Sequence, residues 1–305
     1  MPNSKAKYLI IIAGPTAVGK TALAILIAKA LKTEIISADS RQLFRELSIG
    51  TAKPSETELK EVPHHFINSH SIEEAYSAGD FERDALTLLD TLFIDHDFVV
   101  MTGGSGLYIK AVSEGLDLLP APLEGLRESL TKRLAEEGLE SLQEEIKTAD
   151  PEFAATNEIL NPQRVVRALE VFHTTGIPIS QFQQKNKQVR PFKQVLIALD
   201  RDRAELYQRI DLRMEQMLQL GLVQEAESLM AFREKHALQT VGYKEVYGYL
   251  DGLYDKKEME RLLKQNSRRY AKRQLTWFRR DESTAWFEPN QTDAIIQYIK
   301  LYKQT

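Results

Sequence analysis

Short, unbroken apolar runs alternate with longer mixed segments along the first third of the chain. Tyr8–Ala13 is apolar throughout and ends at Gly14, and the same pattern returns at Glu34–Ala38, at Phe98–Met101 and, far along the chain, at Gln194–Leu199. Continuous rather than alternating apolar strands are those buried on both faces, as in a parallel sheet. Lys20–Leu31, between the first two runs, is rich in Ala, Leu and Ile and predicts a helix. The expected class is α/β, a parallel sheet covered by helices.

The pattern changes between the last two strands. From about Pro120 to Phe192 the chain is polar and helical, with breaks at Pro151, Pro162 and Pro178. This stretch reads as a helical insertion. The expected division is residues 1–118 with 194–305 as the core and 119–193 as a helical insertion domain. After Asp200 the chain is read as helical almost to its end, without internal repeats or low-complexity tracts.

Composition adjusts this picture in three ways. A chain of 305 residues with 43% apolar content is long for one simple domain, which suits a core with an insertion. A formal charge of −4 speaks against a general nucleic-acid coat but leaves room for a local basic face. The absence of cysteine excludes disulfides, thiolate zinc sites and cysteine nucleophiles. Lys5 and Lys7 before Tyr8–Ile12 imitate the start of a signal peptide. The run is too short and a glycine loop follows at once, so a buried strand is the reading. No stretch reaches the roughly 20 apolar residues of a bilayer span; a cytoplasmic protein is expected.

The strongest chemical signal follows the first strand. Gly14-Pro15-Thr16-Ala17-Val18-Gly19-Lys20-Thr21 matches G-x-x-x-x-G-K-[ST] and opens the predicted helix. Glycine lets backbone N–H groups approach phosphate oxygens, and the helix N-terminus adds a positive dipole end. Lys20 supplies a point charge and Thr21 a hydroxyl for magnesium. The sheet is thus P-loop NTPase-like, although the loop does not say whose phosphates it holds. A switch or motor NTPase would end another strand in an acid. Phe98–Met101 runs into Thr102-Gly103-Gly104-Ser105 instead, while Asp39 follows the second strand. The carboxyl ends of parallel strands line the ligand crevice, so Asp39 is expected to face the loop as a proton acceptor. Its bland alternative is a capping role.

The motif series along nearly the whole chain resembles the bacterial tRNA dimethylallyltransferases. It comprises the loop; Asp39-Ser40-Arg41-Gln42; Ile49-Gly50-Thr51-Ala52-Lys53-Pro54; Pro63-His64-His65; Gly103-Gly104-Ser105-Gly106-Leu107-Tyr108; Arg164-Val165-Val166-Arg167-Ala168-Leu169-Glu170; Gly242-Tyr243-Lys244-Glu245; Tyr270-Ala271-Lys272-Arg273-Gln274; and Trp277-Phe278. Ser105 stands where the family is expected to carry threonine. The resemblance implies that dimethylallyl pyrophosphate donates its C1 to N6 of the adenosine at tRNA position 37. Asp39 would be the base, and Lys20, the loop and magnesium on Thr21 would hold pyrophosphate. Arg213 matches a pyrophosphate-contacting arginine of the family, and Thr16 and Ser105 are expected to bond donor or substrate oxygens. The target base must leave its stack to react. The resemblance places Asp39, Ser40, Arg41 and Gln42, Gln163 to Arg167, and Gln239, Thr240, Val241, Gly242, Tyr243 and Lys244 near the RNA. Arg127 joins them, with the insertion clamping the anticodon stem-loop. A monomer without membrane contact is expected.

Arg261, Lys264, Arg268, Arg269, Lys272, Arg273, Arg279 and Arg280 crowd one late segment. Lys264, Arg268 and Lys272 share a helix face, a candidate phosphate-binding stripe whose bland alternative is a solvated face. Tyr270, Trp277 and Phe278 suit base stacking or, more simply for the last two, core packing. His64 and His65 are adjacent and point apart, which disfavours a metal role. Competing classes are a P-loop kinase for a small hydroxyl compound, a nucleotide-sensing module without chemistry, and a prenyltransferase for free adenine nucleotides. The first and the last leave the basic segment unexplained, and the second would need a nucleotide-sensing carboxylate that the sequence does not offer.

Overall fold

The computed structural model of the chain describes residues 6–183 and 187–302; Lys5 lies outside them. Two compact units emerge, Met1–Ser113 with Arg190–Thr305, and Glu114–Val189. These joints lie a few residues before the expected 118/119 and 193/194.

In the first unit, six strands among the described residues form one sheet: β1 (Tyr8–Ala13), β2 (Ile35–Ser37), β3 (His64–His65), β4 (Phe98–Gly103), β5 (Lys193–Leu199) and β6 (Ala285–Phe287). The order is β3-β2-β4-β1-β5-β6 and every pairing is parallel. β1 and β4 are buried at every position. The pleat explains why. Leu9, Ile11, Val99 and Met101 enter the core on one face of the sheet, while Tyr8, Ile10, Ile12 and Val100 enter the core on the other. β3 and β6 were not anticipated. Each is two or three residues long, too short for any periodicity to register.

The helices of this unit are α1 (Lys20–Leu31), α2 (Glu56–Glu61), α3 (Ala78–Asp95) and α4 (Gly106–Glu114), which ends at the unit boundary. The second unit follows with α5 (Leu126–Glu137), α6 (Leu139–Ala149), α7 (Pro151–Ala154), α8 (Pro162–Thr175) and α9 (Ile179–Phe182). The chain then returns to the first unit with α10 (Arg203–Gln219), α11 (Leu222–Ser228), α12 (Tyr243–Leu250), α13 (Lys256–Phe278) and α14 (Thr292–Tyr302). No described helix is long and apolar enough to cross a membrane.

The second unit has its own core, with Leu130, Leu142, Ile146, Val165, Val166 and Leu169 buried together. The prolines that broke the sequence pattern open helices here. Pro151 and Pro162 sit in the first turns of α7 and α8, and Pro178 precedes α9. A first-turn proline loses no intrahelical hydrogen bond. Asn161 caps α8 by accepting from the N–H groups of Gln163 and Arg164 at 3.0 and 3.4 Å.

Candidate active site

The strand order decides which loops meet. β4 lies between β1 and β2, and Ala13 is level with Gly103 while Ser37 is level with Thr102. The phosphate loop after β1, the Asp39 turn after β2 and the Gly103–Ser105 loop after β4 therefore leave the sheet side by side.

The loop after β1 has the backbone that phosphate binding requires. Gly14 has φ +143°, and a Cβ added there would lie 2.9 Å from the Leu199 carbonyl oxygen, so no side chain fits. Ala17 also adopts a positive φ of 63°, and Arg209 Nε donates to its carbonyl at 2.9 Å. Arg201 Nε supports the neighbouring Val18 carbonyl at 2.8 Å. Gly19 brings no side-chain cap to α1, which leaves the first-turn N–H groups of that helix open to an anion.

This loop forms the floor of an open cavity of about 750 Å³ lined by the first unit. Thr16, Ala17, Gly19, Lys20 and Thr21 line it, as do Asp39, Arg41, Lys53, Arg209 and Arg213. Lys20 Nζ donates to the Pro15 carbonyl at 2.7 Å. Burial pulls its pKa down to about 7, with Asp39 opposing and Arg213 reinforcing the shift. Burial likewise lowers Arg213, with Arg209 adding to the effect. Arg213 has no hydrogen-bond or ion-pair partner among the described residues. Ile49, Leu59, Ile67, Met214, Met217 and Leu220 give the lining an apolar stretch, beside polar residues that include Glu56, Glu58, His64 and Asn68.

Asp39 does cap a turn: Oδ1 accepts from the N–H groups of Arg41 and Gln42 at 2.9 and 3.3 Å. Oδ2 carries no hydrogen bond among the described residues, so capping and proton acceptance are compatible in one carboxylate. Ser105 Oγ accepts from the Ser40 N–H at 2.9 Å and donates to Ser40 Oγ at 3.1 Å. It braces the Asp39 turn rather than lining the cavity. Tyr270 lines the cavity; burial, and next the charge of Asp39, push its phenol up to about 12.

The profile of the IPP transferase family matches residues 42–281. The chain belongs to the IPP transferase family. It is 53% identical over 96% of its length to a tRNA dimethylallyltransferase of Cytophaga hutchinsonii, covering 97% of that protein. A solved tRNA isopentenylpyrophosphate transferase of Bacillus halodurans superposes with a TM-score of 0.73 at 36% identity, over 98% of this chain and 97% of that one. A eukaryotic dimethylallyltransferase solved acting on tRNA gives 0.72 at 25% identity, over 89% of this chain and 70% of that one.

In this family member the anticipated residues fall into distinct places. Thr16, Ala17, Gly19, Lys20, Thr21, Asp39, Arg41, Gln42, Arg213, Thr240, Val241 and Gly242 share the cavity. Gly14, Pro15 and Val18 are the buried frame of the loop. Gln42 is largely occupied, its Nε2 donating to the Thr51 and Ala52 carbonyls at 3.1 and 3.2 Å. Gln239 donates to the Arg233 carbonyl at 2.7 Å, and Lys244 is exposed.

Three side chains assigned to the RNA surface are core instead. Val165 and Val166 are 0% and 1% exposed within the second unit. Tyr243 is fully buried, its hydroxyl donating to Glu225 at 2.6 Å. The polar positions beside the valines remain outside: Gln163 is exposed and Arg164 pairs with Glu158. Arg167 and Arg127 converge on buried Glu170 at 3.3 and 3.6 Å.

The basic stripe on α13 also needs correction. Lys264 pairs with Glu215 at 2.5 Å, and Arg268 pairs with Asp211 at 2.5 Å, both on α10. Lys272 has no partner among the described residues, and exposed Arg273 reaches only over the Tyr270 ring at 5.7 Å. Phe278 is core, and Trp277 packs against it. His64 Nδ1 donates to the Val62 carbonyl at 2.8 Å, and His65 Nε2 lies 2.6 Å from Glu34.

Lys20 implies a pH dependence. Its ammonium titrates at about 7 in the free protein, and a bound anion raises that value. Well below pH 7 the lysine is charged before and after binding, so its ionisation adds no pH dependence there. Above it, binding must take up a proton. Pyrophosphate affinity is expected to fall by up to about tenfold per pH unit above 7. Calorimetry in buffers of different ionisation enthalpy should show more proton uptake at pH 8 in the parent than in Lys20→Ala; equal values would contradict the assignment.

Proposed function

We propose that the chain transfers a dimethylallyl group from dimethylallyl pyrophosphate to the exocyclic N6 of the adenosine beside the anticodon of tRNA, in the cytoplasm, releasing pyrophosphate. The observation that carries this reading is one cavity with three chemistries: a cationic floor, a carboxylate with a free oxygen, and an apolar wall.

Each part has a task. The loop N–H groups, Lys20 and Arg213 hold the pyrophosphate, and they oppose the charge that grows on it as the C1–O bond breaks. The apolar wall around Met214, Met217 and Leu220 takes the five-carbon tail. The amine nitrogen forms the new bond to C1, the C1–O electron pair leaves with pyrophosphate, and the N6 proton passes to Asp39. An adenine amine is a weak nucleophile because its lone pair is delocalised, so removing the proton as the bond forms matters.

Magnesium fits the residues present. The Thr21 hydroxyl lines the cavity and has no partner among the described residues, and the carboxylates of Asp39, Glu56 and Glu58 line the same cavity. A single hydroxyl with few protein ligands suits an ion that keeps its waters and shares phosphate oxygens. When bound, it would neutralise charge on the leaving pyrophosphate.

For the RNA, the exposed cations Arg269, Lys272, Arg273 and Arg280 on and just beyond α13 are the phosphate contacts, with Arg127, Arg164 and Arg167 of the second unit. tRNA binding is expected to weaken steeply with salt. Lys272→Ala or Arg273→Ala should lower the log–log slope by about one unit. Arg268→Ala should lower it less, because Asp211 already neutralises that charge. Filter binding across a salt series decides; an unchanged slope in the Lys272 and Arg273 variants would make the helix merely solvated. The transfer itself is tested by offering the protein tRNA with each donor and weighing the digested nucleosides.

A further inference from the structure

One buried polar group of α13 has no part in the reaction just described, yet it touches the loop that binds the donor. Gln274 is 6% exposed. Its Oε1 accepts from the Thr16 N–H of the phosphate loop at 2.9 Å, and its Nε2 donates to the Gly104 carbonyl after β4 at 2.9 Å. A Cβ at Gly104 would stand 2.3 Å from that Nε2, so only glycine admits the amide here.

The contacts continue to the base. Ser105, next to Gly104, holds the Ser40 N–H, and the Asp39 carboxylate caps the same turn. An unbroken line of hydrogen bonds and covalent neighbours thus runs from the phosphate loop through Gln274 to Asp39. α13 is built to deliver it. Tyr270, Gln274 and Trp277 follow i, i+4, i+7 spacing and share one face. Tyr270 meets the cavity, and the Trp277 ring occupies the space where Gly106 lacks a side chain.

We propose that Gln274 is a positioning residue that sets the distance between the donor-holding loop and Asp39. The amide does this in neutral form, one end accepting and the other donating. An ammonium has no acceptor, and a carboxylate cannot satisfy Gly104. Transfer requires the donor carbon, the amine and the base in near-attack geometry, where a displacement of about 1 Å costs roughly 100-fold in rate. Release of the clamp frees both loops to move apart while leaving Lys20 and Arg213 in place to bind pyrophosphate.

The proposal rests on the transfer reading, so the parent protein is assayed alongside. Gln274→Met keeps the volume and removes both hydrogen bonds. At saturating donor and tRNA, its single-turnover rate is expected to fall about 10- to 100-fold. Its affinity for inorganic pyrophosphate is expected to stay within about threefold, and its tRNA affinity to stay unchanged. Should that variant fail to fold by circular dichroism, Gln274→Glu, assayed at alkaline pH where its carboxylate is ionised and cannot donate to Gly104, keeps size and the Thr16 contact. The same loss at saturating donor is expected for it. A parent that transfers nothing overturns the functional reading. A parent that transfers beside a folded variant within twofold of its rate, or a loss that saturating donor restores, overturns the clamp.

Discussion

Replacing Asp39 by asparagine is expected to lower single-turnover transfer by roughly 100- to 10,000-fold, the range set by loss of a general base. Asparagine keeps the size and can still accept from the Arg41 and Gln42 N–H groups that Oδ1 serves now. The turn should therefore survive and only the proton acceptor disappear. Donor and tRNA affinities should stay close to those of the parent. Rapid-quench measurements with both substrates saturating read the chemical step directly. A near-normal rate would mean that the carboxylate is only a cap.

Lys20→Ala is expected to act on the other substrate. A charged hydrogen-bond partner of a buried anion contributes about 1.5–3 kcal/mol, which corresponds to a loss of donor affinity of roughly 10- to 100-fold. tRNA affinity should hardly change, because Lys20 lies on the cavity floor among loop backbone and not on the exposed face of α13. Proton uptake at pH 8 should be smaller in this variant than in the parent. Donor titration and RNA binding measured separately distinguish the two roles, and an unaltered donor response would show that the loop holds something else.

The parts of the site that were legible in the sequence are those whose chemistry is local. A phosphate loop needs glycine at particular backbone positions, so Gly14 and Gly19 announce it. Asp39 was legible because the carboxyl ends of parallel strands face a common crevice. Gln274 was not, since its partners lie 258 and 170 residues away and meet it only through the fold. Tyr243 was misplaced for a similar reason: its ring fits only because Gly50 has no side chain, a Cβ there standing 2.6 Å from the ring.

Other departures from expectation have a signal in the sequence. Val165, Val166 and Leu169 follow helical spacing, which marks a core face, with Arg164 and Arg167 turned away from it. Asp211 and Glu215 repeat the spacing of Lys264 and Arg268 with opposite charge, and the two helices pair them in antiparallel register. A charge pattern matched elsewhere in the chain indicates an internal contact before it indicates a ligand. β3 and β6 lay beyond any such reading, because strands of two and three residues owe their existence to neighbours rather than to their own sequence.

The central claim is that the phosphate loop serves an allylic pyrophosphate and not a nucleotide. The direct measurement incubates purified protein with transcribed tRNA and magnesium, giving dimethylallyl pyrophosphate or ATP in turn, and weighs the nucleosides after digestion. A gain of one five-carbon unit on the adenosine beside the anticodon, from the allylic donor alone and without ATP, is the result predicted. Phosphate transfer or hydrolysis from ATP, with no prenylated nucleoside from either donor, would contradict it and make the site that of a kinase.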